Sequence, residues 1–319
     1  MSEQKFYKCD YMDSGINFER WGIYVCCKTA HEGGGLLTLS TSYNDINWDE
    51  IFEKKRKWKE QTEKGHPPDK CKGCSSLVET NEPCREDAFV FVDVNSFVRC
   101  NSKCCYCDCW SVKNFNETSL YPIFSELFRK KLLKNAPHGY IQFAGGEPAL
   151  MKDFEKIVDL CLKNGLERYI VNSNGIKFSK GIYNLLKHGK TNLFVSIDSG
   201  CKRTYERIKN VPCFEKVVEN LKKYVSAERK GRSTVWLKYI IVPGYNDNFE
   251  DIEKWYNLAT REIGVKAVVL DIEREWFIYN NRKITPVMEK MIAYIRARCK
   301  EEKVRLDYYE QLKNLYGIQ

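Results

Sequence analysis

The distribution of apolar and polar residues divides the chain near residue 86. Beyond that point, short apolar runs alternate with longer segments in which apolar residues recur at helical spacing. The runs predict strands at residues 88–94, 140–144, 168–172, 192–198, 234–242 and 265–271. The segments predict helices at residues 119–133, 153–163, 180–187, 214–228, 249–262 and 286–303. Strands that alternate with helices are typical of an α/β fold with a parallel sheet, and these units are fewer than the eight that close a TIM barrel.

The first 85 residues follow a different pattern. A short apolar run at 21–27 predicts a strand, residues 33–35 are a glycine break, and residues 49–63 predict a helix of mostly polar residues. We therefore expect two domains, a small cysteine-rich one over 1–85 and an α/β domain over 86–319.

Cysteines flank the elements of the first predicted domain. Cys71 and Cys74 form a Cys-x2-Cys pair after the Gly-Pro-rich turn at 65–68, which is typical of a metal site when distant cysteines complete it. Iron–sulfur clusters and zinc ribbons share such spacings, so both kinds of centre stay open. The candidate ligands are Cys9, Cys26 or Cys27, Cys71 and Cys74, with Cys84 as a spare.

Composition and hydropathy limit the roles that the cysteines can have. The chain has 319 residues and 15 cysteines, with no apolar segment after the N-terminus and no apolar run long enough to span a membrane. We therefore expect a cytoplasmic protein whose cysteines are metal ligands or reactive thiols, not disulfides. The net charge is +9, but the basic run at 54–59 is typical of the solvated face of a helix, so nucleic-acid binding is not favoured.

The most informative motif lies directly after the predicted strand at 88–94. Cys100, Cys104 and Cys107 have the spacing Cys-x3-Cys-x2-Cys, and Cys105 and Cys109 do not complete such a triplet. One loop can direct three thiolates at a single metal centre, which leaves one coordination position open for chemistry. A zinc knuckle is the alternative interpretation of the triplet alone.

The triplet resembles the signature of the radical S-adenosylmethionine (radical SAM) enzymes. The resemblance implies a partial (β/α)6 TIM-like barrel and a [4Fe-4S] cluster bound by Cys100, Cys104 and Cys107. In that family the remaining iron binds the amino and carboxylate groups of SAM. By the same resemblance Tyr106, which precedes the third cysteine, packs near the adenine.

A glycine-rich turn follows the predicted strand at 140–144. Gly145, Gly146 and Glu147 precede a proline, and Gly-Gly-Glu-Pro at this position resembles the family motif that binds the methionine amino group. The glycines allow close backbone approach, and the glutamate is able to accept from an ammonium group.

Other polar residues end the later strands, where ligands bind in βα folds. Asn172 and Asn174 share one strand face, as do Ser196 and Asp198. The resemblance implies that these residues contact the ribose and carboxylate of SAM. A turn at the asparagines is the alternative.

Two further strand ends carry charge. Lys238 lies among apolar residues and is typical of a snorkelling side chain, while Asp271 and Glu273 share a face that suits either a polar substrate or a salt-bridged rim.

The N-terminal cysteines resemble half of a SPASM-type auxiliary iron–sulfur module. Such modules usually follow the radical SAM domain, whereas this candidate precedes it. The resemblance implies an auxiliary [4Fe-4S] cluster in addition to the catalytic one.

Taken together, these features predict an enzyme that cleaves SAM reductively and abstracts hydrogen through a 5′-deoxyadenosyl radical. The resemblance implies a peptide or small-metabolite substrate and a one-electron reductant such as flavodoxin or ferredoxin. The alternative is a noncatalytic iron–sulfur or zinc protein for metal binding or electron transfer on the same scaffold.

Overall fold

A computed structural model describes residues 6–26, 37–80, 88–95, 99–111, 118–188, 191–229 and 231–316. Cys27 and Cys84 lie outside these residues. The chain divides into two compact units, the first formed by residues 1–98, 114–145 and 151–169, and the second by residues 99–113, 146–150 and 170–319. The boundary predicted at residue 85 falls within the first unit, and the two-domain division stays a prediction.

The first unit contains a mixed sheet and a separate strand pair. Its strands are β1 (Phe6–Lys8), β2 (Gly15–Glu19), β3 (Gly22–Tyr24), β4 (Thr38–Ser40), β5 (Val78–Thr80), β6 (Phe91–Val94) and β7 (Tyr140–Phe143). The sheet order is β7-β6-β2-β3-β4, with β2, β6 and β7 parallel and the β2-β3-β4 pairs antiparallel. β1 pairs with β5 in antiparallel register. Gly22 permits the tight β2–β3 turn, because its φ is +146° and a Cβ there would lie 2.2 Å from the Ser40 carbonyl oxygen.

The helices of the first unit are α1 (Asp10–Ser14), α2 (Trp48–Glu63), α3 (Tyr121–Arg129) and α4 (Phe154–Lys163). The helix predicted at 49–63 is confirmed as α2. It begins at Asn47, whose side chain caps it by accepting from the Glu50 amide at 3.2 Å. One face of α2 is buried and includes a lysine, Lys55, that is 3% exposed.

The second unit has the strand order β8-β9-β10-β11-β12, and the pairs from β9 to β12 are parallel. These strands are β8 (Tyr169–Ser173), β9 (Thr191–Ser196), β10 (Val235–Ile241), β11 (Ala267–Ile272) and β12 (Arg305–Tyr308). The helices are α5 (Lys180–His188), α6 (Lys202–Lys209), α7 (Phe214–Ser226), α8 (Phe249–Asn257), α9 (Arg274–Tyr279), α10 (Pro286–Glu301) and α11 (Glu310–Tyr316). The α/β fold class is thereby confirmed, and α6, α9, β12 and α11 are additions to the predicted elements.

β8, β9 and β10 each bury one face completely and leave the other partly open, whereas β11 is buried on both faces. Val171, Val195 and Tyr239 are fully buried, whereas Asn172 and Ser196 on the opposite face are half-buried. Deeper along this open face lies an apolar floor, in which a core cluster packs against the half-buried ring of a neighbouring strand. The floor consists of Trp236, Ala267, Val269 and Phe194. Polar groups at the carboxyl ends of the strands thus stand above an apolar base.

Among the described residues, no helix is both long enough and apolar enough to cross a lipid bilayer.

Candidate active site and N-terminal cysteine cluster

The loop that carries the cysteine triplet is anchored to the end of α6. The amides of Lys103 and Cys105 donate to the carbonyls of Lys209 and Ile208, each at 2.9 Å, and the Ser102 hydroxyl also donates to the Lys209 carbonyl at 3.2 Å. Cys100, Cys104 and Cys107 are half-buried on this loop, while Cys105 is exposed. The loop therefore has a fixed base and presents three partly shielded thiols.

Cys107 lies beside a further thiol that the triplet does not include. The sulfur atoms of Cys107 and Cys109 and a carboxylate oxygen of Asp108 lie within 4.8 Å of one another, the one such group among the described residues. A hydrogen bond from Cys109 lowers the pKa of Cys107 to about 6, and the same contact raises the pKa of Cys109. The Gly146 amide faces the Cys109 sulfur and acts to lower the pKa of Cys109.

The triplet itself is spaced more widely than this group. Each cysteine of a [4Fe-4S] cluster binds a different iron, so its ligands stand further apart than those of a single ion. Three thiols on one anchored loop, one of them within 3.5 Å of an amide N–H donor, fit the donor set of such a cluster. Cys109 was missed as a neighbour of this site, and the Cys-x-Cys spacing with Cys107 is the signal in the sequence.

Glu147 connects the glycine-rich turn to the end of β8. Its carboxylate is fully buried and accepts from the Ala149 amide at 3.1 Å, the Asn174 amide at 2.7 Å and the Ser173 hydroxyl at 3.0 and 3.1 Å. Burial raises the pKa of Glu147, and these donors act in the opposite direction. Both oxygens are thus held by the protein's own donors, while Gly146 beside it is half-buried and has a left-handed φ of +82°.

Asn174 brings three of the predicted site segments together. Its amide nitrogen Nδ2 lies 3.5 Å from the Cys100 sulfur and donates to Asn101 Oδ1 at 2.7 Å, while its backbone amide donates to Glu147. The end of β8, the glycine-rich turn and the cysteine loop therefore meet at one residue.

Asp198 and Tyr106 form a buried network with a lysine that the sequence did not single out. The Tyr106 hydroxyl donates to Asp198 Oδ2 at 2.5 Å and accepts from Lys209 Nζ at 2.7 Å, and Lys209 also forms an ion pair with Asp198. The Ile240 amide donates to Asp198 Oδ1 at 2.9 Å. Burial lowers the pKa of Lys209, but the Asp198 carboxylate and the nearby Cys104 outweigh burial and raise it.

A second polar pair lies further along the open face. Lys238 Nζ is 3.5 Å from Asp271 Oδ2 and 3.5 Å from the centroid of the Tyr309 ring. Burial lowers the pKa of Lys238 and raises the pKa of Asp271 to about 6. Glu273 does not join this pair, because its carboxylate caps α9 by accepting from the Glu275 and Trp276 amides at 2.9 and 2.6 Å.

The remaining predicted residues occupy two different places. Asn172 and Ser196 stand half-buried on the open face of the second unit. Gly145 belongs to the first unit, where its φ is +70° and a Cβ would lie 2.3 Å from the Asn95 carbonyl oxygen. No other residue type fits that approach without moving the backbone.

The N-terminal cysteines converge on one small cavity within the first unit. Pairing of β1 with β5 brings the residue after β1, Cys9, next to the segment before β5 that carries Cys71 and Cys74. Cys26 follows β3 and completes the group. The cavity is lined by these cysteines together with Tyr11, Met12, Val25, Leu37, Ser76 and Leu77.

Burial makes two of these thiols, those of Cys9 and Cys71, poor acids in the absence of a cation. It raises the pKa of Cys9 to about 11 and that of Cys71 to about 12, with the neighbouring thiols adding to both shifts. A bound metal reverses this effect, because coordination deprotonates a thiol. Four thiols that line one largely apolar cavity are a donor set for an iron–sulfur cluster or a zinc ion. No three of their sulfur atoms lie within 4.8 Å of one another among the described residues, which is wider than a single zinc ion requires and suits a cluster.

Solved structures resemble this chain over nearly its whole length. The structure of Streptococcus suis SuiB bound to S-adenosylmethionine has a TM-score of 0.53 at 12% identity, covering 97% of this chain and 72% of that one. SuiB bound to its precursor peptide SuiA has a TM-score of 0.52 at 12% identity, with 97% and 71% coverage. At this identity the likeness is one of fold.

Curated relatives match part of the chain at higher identity. A probable GTP 3′,8-cyclase of Methanosarcina acetivorans is 27% identical over 216 residues, covering 63% of this chain and 61% of the relative. A 7,8-dihydro-6-hydroxymethylpterin dimethyltransferase of Methanocaldococcus jannaschii is 28% identical over 176 residues, covering 52% and 33%. The chain thus spans from a third to about six-tenths of the length of these relatives.

The family assignment rests on a match to a family model. The family model described as the Radical SAM superfamily matches residues 94–259, which is more than half of the chain and contains the cysteine loop and the glycine-rich turn. A [4Fe-4S] cluster and SAM are the cofactors that this family implies. The chain belongs to the radical SAM superfamily of enzymes.

Proposed function

We propose that this chain binds a [4Fe-4S] cluster through Cys100, Cys104 and Cys107 and uses SAM to abstract hydrogen from a polar substrate. When bound, the cluster and SAM supply one-electron cleavage to methionine and a 5′-deoxyadenosyl radical. The contact of Asn174 with both the Cys100 sulfur and the buried Glu147 carries the proposal, because it joins the cysteine loop to the glycine-rich turn.

The chain's own residues position these groups. Glu147 holds the glycine-rich turn against the end of β8, so that the half-buried backbone of Gly146 is available to the methionine amino group. Asn172 and Ser196 on the open face suit the ribose and carboxylate of SAM. The apolar floor beneath them suits the adenine, and Tyr106 closes the side next to Asp198.

The substrate is proposed to lie on the same open face, towards β10 and β11. Lys238 and Asp271 there offer one cation and one anion in a partly dry setting, which favours a substrate with polar groups of both signs. Peptides and small metabolites both satisfy this requirement. The two relatives described above are named for GTP and for a pterin, which favours a small molecule.

The test is formation of 5′-deoxyadenosine by the anaerobically reconstituted protein with dithionite, with flavodoxin or ferredoxin as alternative reductants. We expect cleavage of SAM, and GTP is the first small-molecule probe for a rate increase. A protein that binds iron and sulfide yet yields no 5′-deoxyadenosine under any of these reductants would support the noncatalytic electron-transfer alternative instead.

Glu147→Ala is expected to weaken SAM binding by roughly ten- to a hundredfold. The change leaves the Asn174 and Ala149 amides without their acceptor and so releases the turn that is proposed to hold SAM. A charged hydrogen bond lost between the protein and the SAM ammonium costs on the order of 1.5–3 kcal/mol of binding free energy. The measurement is titration with SAM at constant iron content. Glu219→Ala removes an exposed carboxylate from α7 and is the matched control.

Glu147→Gln separates two roles for this carboxylate. If Glu147 positions the turn, glutamine keeps an acceptor oxygen for one of the two amides and should therefore retain more affinity than alanine. If instead it accepts from the SAM ammonium, glutamine loses the charge and binds as weakly as alanine. Unchanged affinity in Glu147→Ala contradicts both roles.

We also propose an auxiliary centre in the N-terminal region, bound by Cys9, Cys26, Cys71 and Cys74. An iron–sulfur cluster with four cysteine ligands has no open position for SAM, so electron transfer or substrate anchoring is its proposed role. Residues 1–85 are accordingly proposed as a cysteine-rich module, and 86–319 as the catalytic domain.

A full-length variant with Cys100, Cys104 and Cys107 all changed to alanine tests this centre. After anaerobic reconstitution we expect about four irons per chain and an iron–sulfur absorption band, as for one cluster with four thiolates. Tightly bound zinc without sulfide would identify a structural zinc site. Absence of any metal would remove the auxiliary centre from the proposal.

A further inference from the structure

Lys55 is a buried cation with no carboxylate in contact. Its side chain is 3% exposed on the inward face of α2, and Nζ donates to the carbonyls of Gly15 at 2.7 Å and Tyr11 at 3.1 Å. The Phe89 ring lies on another side, with its centroid 5.6 Å from Nζ. Among the described residues, no acidic oxygen lies within the 4 Å of a salt bridge to this ammonium. A buried charge without a counter-ion is costly, so such groups are usually paired.

The acidic groups that act on the Lys55 ammonium are the buried Asp13 carboxylate and the N-terminal thiols. One carbonyl that Lys55 contacts belongs to Tyr11, which lines the cysteine cavity two residues after Cys9. Burial lowers the pKa of Lys55 to about 7, and the nearby Asp13 carboxylate counteracts burial more than the thiols of Cys9 and Cys26 do. Neutral thiols carry no negative charge that could balance the Lys55 ammonium. A zinc ion or an oxidised [4Fe-4S] core with four thiolates keeps a net negative charge.

We infer that Lys55 is the counter-ion of the four-cysteine centre and sets its reduction potential, an inference that rests on the auxiliary centre proposed above. Reduction adds one negative charge to the cluster. A fixed cation nearby stabilises the reduced form more than the oxidised form, and low solvent exposure increases this effect. Loss of the Lys55 charge should therefore make the centre harder to reduce.

The experiment uses the full-length chain with Cys100, Cys104 and Cys107 changed to alanine, so that only the auxiliary centre is observed. Lys55→Gln and Lys55→Met remove the charge, and Lys55→Gln keeps a hydrogen-bond donor. Lys55→Arg keeps the charge, and Lys57→Met removes an exposed charge from the same helix. Redox titration followed by electron paramagnetic resonance gives the midpoint potential, and iron and zinc analysis gives the occupancy.

We expect both neutral variants to lower the ratio of reduced to oxidised centre at a fixed potential by about tenfold or more, which is 59 mV for one electron. The midpoint potentials of Lys55→Arg and Lys57→Met should stay close to that of the parent protein. If the parent holds zinc, the same order is expected for the rate of zinc loss to a chelator. Loss of the metal from the neutral variants but not from Lys55→Arg also supports the inference, because Lys55→Arg keeps the positive charge that the neutral variants lack.

Two results overturn the inference while leaving the auxiliary centre intact. One is an unchanged potential, or unchanged zinc loss, in both neutral variants. The other is metal loss in all three Lys55 variants, which would make residue 55 a packing position. A parent protein without metal would instead refute the auxiliary centre, and the counter-ion with it.

Discussion

Replacement of Cys100, Cys104 or Cys107 by alanine is expected to abolish SAM cleavage. Each thiolate is proposed to hold one iron of the cluster, and a cluster held by only three cysteines has no spare protein ligand. The expected loss is complete within the detection limit for 5′-deoxyadenosine. The measurement combines that assay with iron and sulfide analysis of the anaerobically reconstituted proteins.

Cys105→Ala and Cys109→Ala are the controls for this prediction. Cys105 is exposed, and its amide, not its thiol, binds the α6 carbonyl, so its variant should remain active. Cys109 contacts Cys107 and faces the Gly146 amide, and we expect its variant to retain the cluster with a lower rate. Full activity in Cys104→Ala would show that the ligand set was misassigned. The same conclusion would follow if Cys109→Ala lost all activity while Cys107→Ala remained active.

The sequence predicted the parts of the second unit that depend on apolar periodicity. β8, β9 and β10 lie where apolar runs predicted strands, because their buried faces carry almost only apolar residues. The helix predicted at 249–262 continues as a π-helical segment, Leu258–Ile263, that ends at Gly264 with a φ of +88°. Periodicity locates such a helix but carries no information on a widened last turn.

α6 and Lys209 could not be found in this way. Of the eight residues in α6 only Tyr205 and Ile208 are apolar and buried, which is too few to establish a helical period. Lys209 is buried because of a tertiary contact with Asp198, and a charged residue at the end of a polar segment is ordinarily exposed. The network around Tyr106 is therefore a product of tertiary structure.

The helical position of Lys55 indicates an inward-facing side chain, although the basic residues around it are typical of an exposed helix. It lies four residues after Ile51 and seven after Trp48, on the face of α2 that is buried. Composition alone indicated a solvated helix, since the neighbouring residues Arg56 and Lys57 are exposed. Helical position and charge have to be considered together to identify an inward-facing cation.

Asp198→Asn is expected to destabilise the second unit by about 3–5 kcal/mol, the cost of leaving one partner of a buried ion pair uncompensated. Asparagine suits the left-handed φ of +54° at this position, so the backbone should tolerate the change. It leaves the buried Lys209 ammonium without its anion. Denaturant unfolding under anaerobic conditions measures the effect, and Glu262→Ala, which breaks the exposed pair with Lys222, should cost about 1 kcal/mol or less.

The double variant Asp198→Asn/Lys209→Met decides whether charge is the cause. Removing both charges of a buried pair is often close to neutral, so the double variant should recover a large part of the lost stability. Because Tyr106 bonds to both residues and directly precedes Cys107, we also expect the single variant to bind less iron than the double variant. A single variant as stable as Glu262→Ala, with unchanged iron content, would mean that the pair neither stabilises the second unit nor holds the cysteine loop in place.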